Sequence, residues 1–305
     1  MQTRHLKSDL LFLLSAIIWG FAFVAQRMGM DHVGPFAFNG IRFLLGAMVL
    51  VPFIYRNRKD RHPNPDGSYL IHSKKLVVYG GLAGLVIFAG ASLQQVGLVH
   101  TTAGKAGFIT GLYVVIVPIM GLLWGQHTNA GTWSGASMAA AGMYLLSINE
   151  DFSISFGDLL ELIGAVLWAG HIHLIGWLAP KTNSLRLAFI QFLVCAAASL
   201  LTAAAVETTT LASIISAGLP IIYGGALSVG VAYTLQVVAQ RHAHPAHAAI
   251  LLCLESVFAA VGGWFILGEV MSGRGVVGCI LMFAGMLTSQ LYGLLVTGSQ
   301  ESGII

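Results

Sequence analysis

A lysine stands among glycines and small residues in the stretch TTAGKAGFITG, at residues 101–111, as it does in a phosphate-binding loop. Such a loop needs the pattern G-x4-G-K-[ST]. Here Val99 occupies the place of the first glycine, and Ala106 replaces the hydroxyl residue that would hold magnesium. A second pattern, GRGVVG at 273–278, matches G-x-G-x-x-G, but no strand precedes it and an apolar segment follows. Spacing and context argue against both nucleotide sites, and the sequence predicts no cofactor.

Two groups of histidines have a spacing that could hold zinc, which binds imidazole nitrogens. His242, His244 and His247 form HAHPAH, which has no carboxylate or cysteine nearby in sequence. His171 and His173 are two residues apart and therefore point to different faces of a helix. The sequence predicts no metal site and no catalytic triad, so we expect no enzyme. A membrane-embedded, metal-dependent enzyme that uses these histidines is the alternative.

Composition places the chain in a membrane. Of its 305 residues 56% are hydrophobic and 9% are charged, whereas a soluble domain carries about 25% charged residues. The polar surface is too small to cover a globule, so we expect an integral membrane protein whose main partner is the lipid bilayer. No basic face is interleaved with aromatic residues, which argues against nucleic acid as a partner, and the three cysteines fall in apolar stretches without a disulfide framework.

Ten apolar windows are long enough to cross a bilayer, which takes roughly 20 residues. They are residues 9–28, 35–55, 76–99, 103–125, 131–148, 157–178, 185–206, 217–240, 246–267 and 275–296. The longest polar stretch between them, residues 56–73, is too short for a folded ATPase domain. If the N-terminus is cytoplasmic, most lysines and arginines fall in the segments on the cytoplasmic side of the membrane. The outer ends of the spans hold only Arg27, Lys105 and Arg274. The positive-inside rule then places both termini in the cytoplasm and the protein in the cell (inner) membrane.

The two halves of the chain, residues 1–150 and 151–305, repeat one another. Trp19 aligns with Trp168, Gln94 aligns with Gln236, and the offset stays between 142 and 149. Each half holds five spans, an odd number, so the second half is expected to be inverted in the membrane. The predicted fold is all-α, with ten transmembrane helices in two inverted five-helix repeats. Such repeats are typical of secondary transporters with a central site between the halves.

Six stretches in both halves resemble the EamA-type branch of the drug/metabolite transporter superfamily. They are AIIWGFAFV (16–24), IRFLLGA (41–47), TTAGKAGFITGLYVVIVPI (101–119), AAAGMYLLS (139–147), GDLLELIGAVLWAGHI (157–172) and LESVFAAVGGWFILGE (254–269). The resemblance implies a basket of ten helices whose spans one, three, four, six, eight and nine line a cavity, with five and ten outside. It departs at Ser256, where many relatives place a proline, so span nine is expected to kink less.

Helix periodicity predicts several substrate-binding residues. Trp19 lies on a face with Gln26, and Trp168 lies on the matching face with His171. The two tryptophans are predicted to form aromatic walls for an organic substrate, and the alternative is helix packing or an interfacial belt. In the repeat, Tyr113 of span four aligns with Glu255 of span nine, and Tyr113 is predicted to line the cavity. Gln94 and Gln236 either bind a polar substrate group or bridge helices.

Charged residues inside the spans are expensive to insert and normally face a cavity or a partner. Glu255, near the middle of span nine, is predicted to couple transport to protons or to bind substrate, and the alternative is a structural hydrogen bond. Arg42 and Glu161 are predicted to be structural, and a buried ion pair between them is plausible. The alternative is that Arg42 bonds carbonyl groups at a helix end.

Lys105 lies in the first turn of a helix, where the helix dipole disfavours a cation. It either snorkels to the outer surface, attracts an anionic substrate group or pairs with a carboxylate. The repeat aligns Lys105 with His247, in the mirror-image turn on the cytoplasmic side. Both residues are therefore predicted to be gates at the two mouths of a pathway. Thr101 or Thr102 is expected to cap the helix.

These patterns predict a secondary transporter of small organic metabolites such as amino acids, working by alternating access. Export of amino acids rests on family analogy, and proton coupling through Glu255 is a further hypothesis. A passive channel is the third alternative. The sequence leaves the substrate, the direction, the coupling ion and the oligomeric state open.

Overall fold

The computed structural model describes residues 2–56, 73–125, 130–147, 154–243 and 245–301. The polar stretch 57–72 and His244 of the histidine cluster lie outside the described residues. Throughout the described ranges the regular elements are helical. They are α1 Gln2–Gly29, α2 Pro35–Arg56, α3 Ser73–His100, α4 Ala103–Gly111, α5 Tyr113–Gly121, α6 Ala130–Ser147, α7 Phe156–Leu178, α8 Ser184–Val206, α9 Leu211–Ser216, α10 Gly218–Ile222, a π-helical segment Tyr223–Tyr233, α11 Thr234–Ala239, α12 Pro245–Leu252, α13 Glu255–Leu267 and α14 Gly273–Glu301.

Eight segments are long and apolar enough to cross a membrane. They are Leu6–Gly29, Pro35–Arg56, Lys74–His100, Ala103–Trp124, Phe156–Lys181, Ser184–Val206, Gly218–Ala239 and His247–Leu267. Two further helices, α6 and α14, occupy the places of predicted spans five and ten, and Gly273–Thr288 within α14 is a shorter apolar helix. The all-helical membrane class is confirmed. The count of ten spans in two inverted repeats stays a prediction.

Helices α6 and α14 pack against one another through glycines, with backbone facing backbone. A Cβ atom added to Gly142 would lie 2.6 Å from the carbonyl oxygen of Gly278, and one added to Gly285 would lie 2.6 Å from the carbonyl oxygen of Gly135. The two glycines on each helix are seven residues apart and therefore lie on one face, two turns apart. Small residues at such a contact let helix backbones approach closely in a membrane.

Two of the membrane segments are interrupted near their middle. Leu112 separates α4 from α5, and Cys253 and Leu254 separate α12 from α13. At each break the backbone makes tight i→i+3 hydrogen bonds, from Val115 N to Leu112 O at 2.9 Å and from Ser256 N to Cys253 O at 3.1 Å. Irregular backbone at membrane depth is tolerated where it is buried in protein or lines a cavity.

Span nine is interrupted although Ser256 stands where the resemblance implies a proline, and a smaller kink than in relatives stays a prediction. The segment breaks directly before Glu255 without any proline at that place. Two side chains stabilise the break: the Cys253 thiol donates to the Ile250 carbonyl at 2.8 Å, and the Ser256 hydroxyl donates to the Gly107 carbonyl of α4 at 2.9 Å. The serine thus ties the break in one segment to the neighbouring broken segment.

A carboxylate caps α2 from another part of the chain. Glu207, directly after α8, accepts hydrogen bonds from the backbone N–H groups of Phe36 and Ala37, both at 2.8 Å. These are two of the donors that a helix leaves without partners in its first turn, and the negative charge also suits the helix dipole. The cap joins α2 to α8, which pack side by side.

Removing this cap is expected to destabilise the fold measurably. Glu207→Ala leaves the two N–H groups of α2 without their acceptor and should cost about 1 kcal/mol, the usual effect of losing a helix cap. The measurement is the thermal unfolding midpoint of the purified protein in detergent. Asp31→Ala is the control, because Asp31 forms only an exposed ion pair with Arg27 on its own helix end. Equal midpoints for the two variants would contradict the assignment.

Candidate functional site

A cavity lies among the interrupted helices, with about 490 Å³ of empty space that includes the part open to solvent. Its lining residues are Trp19, Phe23, Gln26, Arg42, Gln94, Thr110, Tyr113, Trp168, His171, Ile172, Ser228, Tyr233, Gln236, Leu252 and Glu255. All six predicted substrate-binding residues and Glu255 are among them. The structure therefore brings these seven side chains together around one space, and their role in binding a substrate stays a prediction.

The lining comes from both halves of the chain. Spans one, three, four, six, eight and nine contribute, as the resemblance implied, and α2 adds one further residue, Arg42. Among the residues that the structure describes, those that line the cavity belong to neither α6 nor α14. The broken segments place Tyr113 and Glu255 at the first positions of α5 and α13 respectively. The interruptions thus aim the ends of short helices at the cavity.

Aromatic rings form one wall of the cavity around Tyr233. The ring of Tyr233 lies 4.6 Å from the ring of Trp19 and 6.1 Å from that of Trp168, measured between centroids. Phe43 and Phe192 pack behind it at 5.9 Å and 6.0 Å. The sequence predictions missed Tyr233, although it lies three residues before Gln236 and therefore on the same helix face.

The tryptophans are held by hydrogen bonds. Trp168 Nε1 donates to Gln94 Oε1 at 3.0 Å, and Gln94 Nε2 donates to Gln26 Oε1 at 3.0 Å. Trp19 Nε1 donates to the carbonyl oxygen of Ser228 at 3.2 Å. Both indole rings therefore have a fixed orientation towards the cavity. Of the two roles predicted for Gln94, the structure shows the bridge between helices.

Gln236 differs from its repeat partner Gln94. It lines the cavity and is 2% exposed, and its Oε1 atom has no hydrogen-bond partner within the described part of the chain. A buried amide oxygen without a partner is costly. Gln236 Oε1 therefore offers an acceptor for a donor group that enters the cavity.

The two histidines of α7 have separate partners. His171 Nε2 lies 3.1 Å from Gln191 Oε1, whereas His173 Nε2 lies 2.8 Å from the carbonyl oxygen of Val117. Within the described ranges no three His, Cys, Asp or Glu residues are grouped closely enough to hold a metal ion. His171 is thus one polar side chain of the cavity wall.

The suggested ion pair between Arg42 and Glu161 is not formed, which corrects that part of the sequence prediction. Arg42 faces the cavity from α2, and its Nε donates to Asn39 Oδ1 at 2.9 Å while the guanidinium lies 5.0 Å from the centre of the Phe43 ring. Glu161 accepts from Thr110 Oγ1 of α4 at 3.0 Å. Arg42 therefore bonds within α2, whereas Glu161 joins α7 to α4, and sequence spacing alone does not reveal this difference.

Arg42 and Glu255 are the two charged residues among those that line the cavity. Arg42 is 2% exposed and Glu255 is 4% exposed. Neither has an ion-pair partner within 4 Å among the residues that the structure describes. One cavity thus holds a buried guanidinium and a buried carboxyl group that do not neutralise each other.

The two predicted gate residues each pair with an aspartate. Lys105 Nζ lies 2.6 Å from Asp158 Oδ2, and His247 Nε2 lies 2.7 Å from Asp9 Oδ1. Of the alternatives for Lys105, the structure shows the pair with a carboxylate. Thr102 caps α4 by accepting from the Lys105 backbone N–H at 3.2 Å, as predicted for this pair of threonines.

Long apolar helices around a polar, aromatic and charged cavity define a multi-pass membrane protein of the transporter class. The model of the EamA-like transporter family matches residues 6–148 and again residues 155–289. The chain belongs to this family. Its resemblance to EamA-type transporters is therefore confirmed.

Individual relatives extend this result. An "Uncharacterized transporter" of Archaeoglobus fulgidus is 30% identical over 294 residues, which cover 94% of this chain and 87% of that protein. A "Probable amino-acid metabolite efflux pump" of Salmonella typhimurium is 24% identical over 167 residues, 53% of this chain and 51% of that protein. A crystal structure with a TM-score of 0.68 and 19% identity covers 95% of this chain and 98% of its own, and it shows the fold alone. The family and the named relatives are transporters, which favours transport over catalysis.

Proposed function

We propose that this protein is a secondary transporter that carries a small zwitterionic metabolite, such as an amino acid, across the cell membrane by alternating access. The observation that carries the proposal is the pair of buried charges, Arg42 and Glu255, which line one cavity without an ion-pair partner in the described part of the chain. A buried charge is tolerated when a partner of opposite sign is present. A zwitterion supplies both partners at once.

The cavity offers a place for each part of such a substrate. The carboxylate would face Arg42, whose planar guanidinium suits two parallel hydrogen bonds. The ammonium group would face Glu255, and the rings of Trp19 and Tyr233 in the same cavity wall would offer it cation–π contacts. The side chain of the substrate would lie against the aromatic wall, where stacking and burial favour an apolar group.

Alternating access requires two halves that rock around this cavity, and we propose that residues 1–150 and 151–305 are these halves. The family model matches the chain twice, once in each half, and the lining residues come from both. With α6 and α14 counted as spans, each half has five, which makes the second an inverted copy of the first. The distribution of lysine and arginine supports an inner-membrane protein with both termini in the cytoplasm.

Direction and coupling are further parts of the proposal. The Salmonella relative is named a probable amino-acid metabolite efflux pump, which supports export. Glu255 would exchange a proton as the substrate ammonium arrives and leaves, because the buried carboxyl group has no cation beside it in the described residues. The proton and the substrate ammonium would then exclude each other at Glu255, which couples proton movement to substrate movement.

Counterflow in proteoliposomes tests the substrate class. A large apolar amino acid, its decarboxylated amine and its deaminated acid differ only in their charged groups. We expect saturable counterflow of the amino acid, and at least about tenfold weaker competition by each single-charge analogue, since each leaves one buried charge without its partner. Preferential transport of sugars or nucleosides would overturn the proposal of a zwitterionic substrate. Flux that does not saturate with substrate concentration would favour a channel over a carrier.

The Glu255→Gln variant tests proton coupling, because glutamine keeps the shape of the side chain but cannot release a proton. We expect the variant to bind the amino acid more weakly, because the ammonium group loses the carboxylate, and we expect the transport that remains to be independent of the pH gradient. The matched control is Glu161→Gln, which changes a buried carboxyl group outside the cavity. Transport by Glu255→Gln with the pH dependence of the unmodified protein would exclude coupling through this residue.

A further inference from the structure

Two ion pairs connect the halves of the chain. The outer ion pair is Lys105 with Asp158 and joins the start of α4 to the start of α7. The inner ion pair, which carries both charges when the imidazole is protonated, is His247 with Asp9 and joins the start of α12 to the first part of α1. In each pair one partner comes from residues 1–150 and the other from residues 151–305. Both pairs therefore cross the boundary between the halves.

The internal repeat relates the two pairs to each other. Asp9 and Asp158 are separated by the same offset as Trp19 and Trp168, and Lys105 and His247 by the same offset as Gln94 and Gln236. The basic residues of the two pairs thus come from corresponding positions, and so do the two aspartates. Because successive spans alternate in direction, α1 and α12 begin at one end of the bundle and α4 and α7 begin at the other.

The two pairs differ in burial. The Asp158 side chain is fully buried, Lys105 is 25% exposed, and Thr101 Oγ1 also donates to Asp158 Oδ1 at 2.6 Å. The side chains of His247 and Asp9 are 38% and 36% exposed. Water and salt screen an exposed pair much more than a buried one. The outer ion pair is therefore the stronger contact between the halves.

A third carboxylate reinforces the outer end. Glu269, just after α13, accepts from the backbone N–H groups of Ala103 at 2.7 Å and Gly104 at 3.0 Å. It ties the start of α4, which carries Lys105, to the end of α13. The first turn of α4 is thus held by two carboxylates from the second half of the chain, Asp158 of α7 and Glu269 in the segment after α13.

We propose that the outer and inner ion pairs are two symmetry-related gates, which hold the opposite ends of the transport pathway closed and break in alternation. Rocking of the halves opens one end and must separate the pair at that end, while the other pair stays formed. The inference rests on the proposed transport by alternating access. It adds the partners Asp9 and Asp158 to the predicted gate residues, and it makes the outer end the harder one to open.

Accessibility of the cavity to a thiol reagent tests the gates. The three native cysteines, Cys195, Cys253 and Cys279, are replaced by serine, and Ser228→Cys adds one thiol to the cavity lining. A membrane-impermeant methanethiosulfonate reagent is applied to right-side-out and to inside-out vesicles. The ratio of the two labelling rates reports which end of the pathway is open.

Breaking each pair is expected to shift this ratio in opposite directions. Lys105→Met should raise outside labelling relative to inside labelling by more than about tenfold, as expected for a largely buried pair. Asp9→Asn should shift the ratio towards the inside by about two- to fivefold, as expected for an exposed pair. Asp31→Asn is the control, because it removes an exposed pair within one helix end and should leave the ratio unchanged.

A charge-exchanged variant separates gating from damage to the fold. Asp9→His combined with His247→Asp restores a pair of opposite charges and should restore the ratio, which a misfolded protein would not do. The proposal that the two ion pairs are gates would be overturned if both single variants shifted the labelling ratio in the same direction. It would also be overturned if neither variant changed the ratio. The labelling needs no substrate. Absence of amino-acid counterflow by the unmodified protein would therefore overturn the proposed transport, and unchanged labelling would overturn the gates alone.

Discussion

Arg42→Met is expected to weaken binding of a zwitterionic substrate by about 10- to 100-fold. A hydrogen bond to a charged group contributes about 1.5–3 kcal/mol, and 1.4 kcal/mol corresponds to a tenfold change in affinity. The variant removes the buried cation of the cavity and leaves the substrate carboxylate without its partner. The measurement is the concentration of amino acid that half-saturates counterflow, together with stabilisation of the purified protein by the same amino acid.

Two comparisons make this result specific for the carboxylate. The amine analogue has no carboxylate to lose, so Arg42→Met should bind it no more weakly than the unmodified protein does. Arg42→Lys keeps the charge but not the planar fork, so an intermediate loss is expected. Arg186→Met removes an exposed arginine at the start of α8 and is the matched control. An unchanged affinity of Arg42→Met for the amino acid would refute the assigned role.

Much of this cavity follows from the sequence because membrane helices are long and regular. Periodicity and the internal repeat predict Trp19, Trp168, Gln94 and Gln236 as residues of the cavity. The structure places all four in the cavity lining. The cost of a charge in the membrane brought out Glu255 in the same way. These arguments need only the rise and turn of a helix and the repeat offset, so they hold without knowledge of tertiary contacts.

The remaining features depend on contacts between distant parts of the chain. Ser228 lies within the π-helical segment, whose wider turns alter the faces that an α-helical pattern predicts. The break before Glu255 depends on the Ser256 hydroxyl reaching Gly107 in another helix, not on a proline. The pairs of Asp158 with Lys105 and of Asp9 with His247 join residues that are far apart in the sequence, so spacing along the chain does not predict them.

Substitution of Gly142 by alanine is expected to destabilise the protein by about 1–3 kcal/mol, whereas the same change at Gly81 should not. The Cβ atom that Gly142→Ala introduces would lie 2.6 Å from the carbonyl oxygen of Gly278 and 2.6 Å from the backbone nitrogen of Met282. Backbone atoms of a packed helix cannot turn aside as a side chain does, so α6 and α14 would have to separate. A Cβ atom at Gly81 meets nothing within 4 Å.

The two glycine variants should therefore differ clearly in their unfolding midpoints. Alanine favours a helix over glycine by up to about 1 kcal/mol, so Gly81→Ala should be neutral or slightly stabilising. Since no described residue of α6 or α14 contributes to the cavity lining, Gly142→Ala should lower the midpoint without changing substrate affinity in the protein that remains folded. Equal midpoints would contradict the close contact of α6 with α14. A lowered midpoint together with weakened binding would instead show that this outer helix pair shapes the cavity through the helices packed against it.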